Sequence, residues 1–116
     1  MKKSSSLWRK CDALCSQVVR IRDGKCRICQ NAGSESHHIV GRTYQGTTFL
    51  SENRLFLCRR CHNRSDLRTK CIEIIGMKEY NRLRRTAERI TYLYESDLIV
   101  IWENLEAELK TLKEVL

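Results

Sequence analysis

The sequence predicts an α+β fold: a small metal-stapled finger of two short strands and a helix, preceded by one helix and followed by further helical segments. Three observations carry that prediction. Two C-x2-C pairs, Cys26 with Cys29 and Cys58 with Cys61, bracket 28 residues, Gln30 to Leu57, and each two-residue spacer lets a tight turn present both thiolates to one ion. Glycines at 24, 33, 41 and 46 break up the stretch from Gly24 to about Thr48, leaving only short apolar pieces. On either side of it, apolar residues recur at helical spacing.

The elements follow in chain order. The run Ser4 to Ser6 can cap a helix in which Leu7, Cys11, Leu14 or Cys15, and Val18 share a face, ending near Asp23 and Gly24. Arg9, Lys10, Arg20 and Arg22 fall mostly off that face, where they either touch phosphate or are simply solvated. The segments His37 to Val40 and Arg54 to Leu57 suit two strands of a hairpin joined by a long loop. A helix is expected from about Arg59 to about Ile75, stopped by Gly76, and another from Met77 to about Ile90 with Met77, Tyr80, Leu83 and Ala87 on one side. Finally, Ser96 can cap a helix whose Leu98, Trp102, Leu105, Leu109, Leu112 and Leu116 form a stripe. That stripe packs on the domain or on another subunit, and a homodimer through this helix is one expectation.

The chain has 116 residues, no proline, no low-complexity linker and no internal repeat, so it reads as a single domain over 1–116. Within it, 1–24 form the N-terminal helix, 25–75 the finger core and 77–116 the C-terminal helical segment. A globule of this size buries only a modest core, which a metal would supplement. The charge is uneven: residues 1–70 carry 15 basic and 5 acidic side chains, net +10, while residues 71–116 carry 7 and 9, net −2. A polyanion, nucleic acid above all, is the partner such a basic first part suits. The opening MKKSSSLWRK has lysines but no apolar run behind it, and no window approaches the roughly 20 apolar residues of a membrane span. A soluble, intracellular protein with no membrane partner is expected.

Seven cysteines without a secretion signal read as metal ligation before disulfides. Four thiolates around one zinc leave no position open for chemistry, so this ion is structural. Cys11, Cys15 and Cys71 lack such spacing and are expected as buried apolar residues or free thiols. The three histidines of the chain, His37, His38 and His62, all lie inside or beside the zinc framework. If both cysteine pairs close on one ion, these imidazoles can converge. His37 and His38 are adjacent on a strand and so point to opposite faces of it. Asn53, just before the second strand, stands where an amide can tie loop backbone together.

The set Cys26-x2-Cys29, His37-His38, Asn53, Cys58-x2-Cys61-His62 resembles the zinc-containing HNH endonucleases, over about 40 of the 116 residues. The resemblance implies a ββα-metal, treble-clef-like finger and a metal-dependent hydrolysis of DNA phosphodiesters. By that resemblance His38 is the general base, His37 and His62 ligate a catalytic divalent ion, and Asn53 steadies the loop bearing the base. The family more often has Asp where this chain has His37, which leaves Mg2+, Mn2+, Ni2+ and Zn2+ all open as the catalytic ion. The chemistry agrees: a histidine with an ordinary pKa of about 6.5 can act as base near neutral pH, and a divalent cation stabilises phosphoryl charge. Arg42, Arg54, Arg59, Arg60 and Arg64 surround the motif as candidate phosphate contacts, the pair Arg59 and Arg60 near a helix N-terminus.

A weaker likeness extends further. The opening LWRKCDALCSQVVRIRDGKC, the finger and the closing acidic helix are similar to phage recombination nucleases of the NinG or Rap type, which implies branched or recombination-intermediate DNA, a phage or prophage context and the cytoplasm of a bacterial host. The rival reading is a non-catalytic zinc module that binds nucleic acid.

Overall fold

The computed structural model describes residues 5–41 and 43–116. In chain order it contains α1 (Ser6–Asp23), β1 (Glu35–His38), α2 (Gln45–Thr48), a 3-10 turn (Ser51–Asn53), β2 (Arg54–Leu57), α3 (Arg59–His62), α4 (Leu67–Ile75), α5 (Met77–Arg89) and α6 (Glu95–Glu114). The sequence signals at both ends of α1 work as expected. The Trp8 N–H donates to Ser5 Oγ at 3.2 Å, and the helix stops at Gly24, whose φ of +74° suits a residue without Cβ.

The buried face of α1, Trp8, Cys11, Leu14, Cys15 and Val18, meets Leu98 and Leu105 of α6, with Phe49 and Leu93 closing the cluster. Trp8 and Phe49 pack edge to face at 4.7 Å. The leucine stripe therefore packs inside the chain, except for Leu116, which lies beyond the helix and is exposed. The expected Ser96 cap is corrected: Ser96 sits in the first turn, because Asp97 takes the Tyr94 N–H at 2.8 Å and closes the helix start two residues earlier.

The finger is a two-stranded antiparallel hairpin, with Glu35 opposite Leu57, Ser36 opposite Phe56, His37 opposite Leu55 and His38 opposite Arg54. Its first strand begins two residues before His37 and stops at His38. Asn53 ends it: the Ile39 N–H still reaches the Asn53 carbonyl at 2.7 Å, but the next donor, Val40 N–H, turns to the Asn53 side chain at 2.8 Å. The single helix expected over Arg59–Ile75 is two, α3 and α4. Asn63, Ser65 and Asp66 favour turns over helix, and Arg64 grips Asp66 through two bonds of 2.8 and 3.0 Å across the break.

Leu55, Leu57, Cys26, Cys61 and Cys71 form a second core under the finger, and Val40, Tyr80, Leu83 and Ala87 a third against α5. Met77 stays exposed at the start of that helix. Close approach explains Gly46: a Cβ there would stand 2.5 Å from both the Cβ and the carbonyl oxygen of Ile90, just past the end of α5. No helix among the described residues is long and apolar enough to cross a membrane.

Candidate functional site

The four predicted zinc cysteines come together, with all four sulfurs within 4.8 Å of one another. Cys29 Sγ and Cys58 Sγ are 3.7 Å apart. Tetrahedral bonds of about 2.3 Å place sulfurs roughly 3.8 Å apart, so the cluster fits zinc and is far too open for a disulfide; all seven cysteines are free. Local turns build it. The Gln30 N–H closes the first pair onto Cys26 O at 3.0 Å, with Gln30 at a φ of +67°, and Cys58 caps α3 by accepting the Cys61 N–H at 3.4 Å. Burial acts upward on the Cys26 thiol, but N–H donors from Cys29, Cys58 and Ile28 bring it down to about 6. Burial pushes Cys61 up, reinforced by the three neighbouring sulfurs. Four adjacent thiolates need a cation to ionise together, and zinc is the borderline-soft ion such a donor set suits.

Cys11, Cys15 and Cys71 are buried in the apolar clusters, as expected; Cys71 packs in the same core as Cys26 and Cys61 but is not one of the four converging sulfurs. Burial raises Cys15 and Cys71 to about 11, which keeps both as unreactive thiols.

Beside the zinc cluster lies a cavity of about 520 Å³ lined by all three histidines, together with Glu35, Asp12 and Arg54 among others. His37 and His62 pack edge to face with ring centroids 5.0 Å apart. Burial pushes the His37 imidazole down to about 4, with His62 adding to the effect and Glu35 opposing it, so His37 is neutral and able to act as a ligand at neutral pH. The neighbouring strand positions of His37 and His38 put their side chains on opposite faces, yet both border the same cavity, which all four residues of β1 help to line.

Two imidazoles on one ion at bonds of about 2.0–2.1 Å hold their ring centres roughly 4.5–5.2 Å apart, so the His37–His62 spacing fits a shared cation. Glu35 Oε2 lies 2.9 Å from His62 Nδ1. Among the described residues, the cysteine cluster is the one group of three or more potential ligands that already converges on a point. The histidine side of the cavity offers a preset pair, Glu35 and His62, with His37 next to it.

Asn53 is fully buried and spends its amide on backbone. Its Oδ1 accepts the Val40 N–H at 2.8 Å, and its Nδ2 donates to Val40 O and Thr47 O, both at 3.1 Å. It thus clamps the chain two residues past His38, the loop-steadying position expected of it.

The arginines divide. Arg54 does not project to solvent: its side chain is 1 % exposed, and it donates to Asp12 at 2.7 Å, Ser16 at 3.0 Å and the Thr48 carbonyl at 2.9 and 3.1 Å. The expectation of a free phosphate contact is corrected here to a tie between α1, β2 and α2. Its position on β2 opposite His38, facing the loop carbonyls, draws it inward. Arg22, only partly buried, is likewise bonded inward, to Asp23, Ser51 O and Arg54 O. Asp23 in turn accepts the Phe56 N–H at 2.9 Å, anchoring α1 to β2. Arg59 and Arg60 are exposed, and Arg59 is tied to the cavity through Glu35, its Nε standing 3.8 Å from that carboxylate. The N-terminus of α3 is a single turn capped by the Cys58 sulfur, so these two residues offer side chains rather than a helix end. Arg64 is exposed but paired with Asp66, and Arg42 lies outside the described residues.

Sequence reasoning missed Glu35, Asp12 and Ser16 as cavity residues. Glu35 was findable: two positions before His37 on a strand, it shares that residue's face. Asp12 and Ser16 stand one helical turn apart on α1, and only the tertiary packing of α1 on the finger brings them to the cavity. Compared with protein-family models, curated proteins and solved structures, the chain gives no match.

Proposed function

We propose that the chain is a metal-dependent DNA endonuclease that hydrolyses phosphodiesters by an HNH mechanism, with branched or recombination-intermediate DNA as its substrate class. The observation that carries this reading is the meeting of His37, His38 and His62 on one cavity beside a four-cysteine cluster, with Asn53 clamping the strand end that bears two of them. His38 accepts the proton of the attacking water as that water's oxygen bonds phosphorus and the bond to the 3′ oxygen breaks. His37, kept neutral by burial, and His62 line the cavity and would hold a divalent cation there. Such an ion would supply charge stabilisation at the phosphoryl and leaving oxygens. The exposed side chains of Arg59, beside Glu35, and Arg60 would grip flanking phosphates.

The test is cleavage of linear, supercoiled, single-stranded and four-way-junction DNA by zinc-loaded protein, with and without Mg2+, Mn2+ or Ni2+. Metal-dependent cuts that vanish in His38→Ala support the enzyme. The completeness of the cysteine cluster favours a second reading, a zinc module that only binds nucleic acid; binding without cuts in every metal would select it.

A further inference from the structure

Glu35 has no part in the residue pattern that suggests a nuclease, yet it lines the cavity beside His62. Its Oε2 stands 2.9 Å from His62 Nδ1. The approach is close but misaligned: that oxygen is buried and takes no well-directed hydrogen bond. Two ligands at 90° around one ion, each bonded at about 2.1 Å, stand roughly 3.0 Å apart. The pair thus has the separation of neighbouring ligands rather than the line of a donor and its acceptor.

Resting on the nuclease reading, we infer that Glu35 is a direct ligand of the catalytic divalent ion, paired with His62 and supplying the negative charge that His37 does not. The strand geometry permits it. Glu35 and His37 occupy alternate positions of β1 and so lie on one face, and the hairpin end that carries Glu35 opposes Leu57, next to the cysteine turn that leads into His62. The other carboxylate oxygen faces Arg59 at 3.8 Å, which orients the group without occupying Oε2. A site of one carboxylate and one or two imidazoles, open to water on its cavity side, suits Mn2+ or Mg2+ better than two neutral imidazoles alone.

Manganese tests this directly, since it competes poorly for the thiolate cluster. Zinc-loaded wild type, Glu35→Gln, Glu35→Asp, His62→Ala and, as a surface control, Glu103→Gln are titrated with Mn2+ and followed by the loss of the free-ion electron spin resonance signal. Zinc content and circular dichroism establish that each variant is folded. Wild type and Glu103→Gln bind one Mn2+ per chain; Glu35→Gln weakens binding by about tenfold or more, Glu35→Asp recovers part of it, and the preference of Glu35→Gln moves from Mn2+ towards Ni2+. If Glu35→Gln binds Mn2+ as wild type does while His62→Ala loses it, the ligand role of Glu35 is overturned and the nuclease reading stands. If wild type takes up no second ion and cuts no DNA in any metal, both fall together.

Discussion

Asn53→Ala tests how the finger holds its histidines. The side chain is fully buried and makes three bonds, with Val40 N–H, Val40 O and Thr47 O. Thr47 O keeps another donor, the Leu50 N–H at 3.3 Å, so its loss costs little. The Val40 N–H loses its acceptor inside the protein, a loss of about 1–3 kcal/mol, and the Val40 carbonyl loses the amide donor. With the small void left by the amide, the total comes to about 2–4 kcal/mol. For a chain of this size that corresponds to a fall in Tm of roughly 10–20 °C. Urea unfolding in zinc-buffered solution, followed by circular dichroism with an unchanged m-value, measures it. The variant should still take up zinc, because the Asn53 side chain bonds to Val40 and Thr47 and not to a cysteine turn. A loss below about 0.5 kcal/mol would refute the clamp, and intact stability with lost Mn2+ binding would assign Asn53 to the metal instead.

Other predictions follow from the same contacts. Removing zinc with a strong chelator, or replacing Cys26 by Ser, should abolish the cooperative unfolding transition, since the second core is built around the cluster; a sharp transition persisting after chelation would show the cluster to be dispensable. Leu98→Ala removes a fully buried side chain between α6 and α1 and should cost about 2–5 kcal/mol by the same urea assay. Gln30→Gly relieves a positive φ in the first cysteine turn and should raise stability, by about 1 kcal/mol, seen as a higher urea midpoint. Burial acts upward on the Asp23 carboxyl, but Arg22, the Phe56 N–H and Arg27 together hold it below its ordinary 3.8. A lowered folded pKa adds stability above the unfolded value that is lost as pH falls through the folded one, so the stability gap between wild type and Asp23→Asn should narrow as the pH drops below about 4. A gap that stays constant over that range would deny Asp23 this role.

Much of the molecule was legible where a local signal has one physical meaning. Paired cysteine turns, the Ser5 cap with Gly24 at the far end of α1, and the period of the α6 stripe each fix backbone or burial within a few residues. The break between α3 and α4 was equally local, in Asn63, Ser65 and Asp66, but the apolar period on either side of it suggests continuity. What could not be read was direction. An arginine beside a motif looks like a phosphate contact, and only the fold turns Arg54 inward to Asp12 and the Thr48 carbonyl. The charge of residues 71–116 is another case. Their net −2 averages a basic α5, holding Lys78, Arg82, Arg84, Arg85 and Arg89, against the acidic α6. Of the site, the three histidines and Asn53 were named from sequence, whereas Glu35 emerged from its distance to His62.

The central claim is that His38 acts as a base beside a separate metal site, and single-turnover cleavage of end-labelled DNA by manganese-loaded wild type and His38→Ala measures it most directly. The account predicts a fall in rate of about 10²–10⁴ for the variant with zinc content, Mn2+ affinity and DNA binding unchanged. Cleavage by His38→Ala at the wild-type rate, or no cleavage by wild type in any metal, would contradict it.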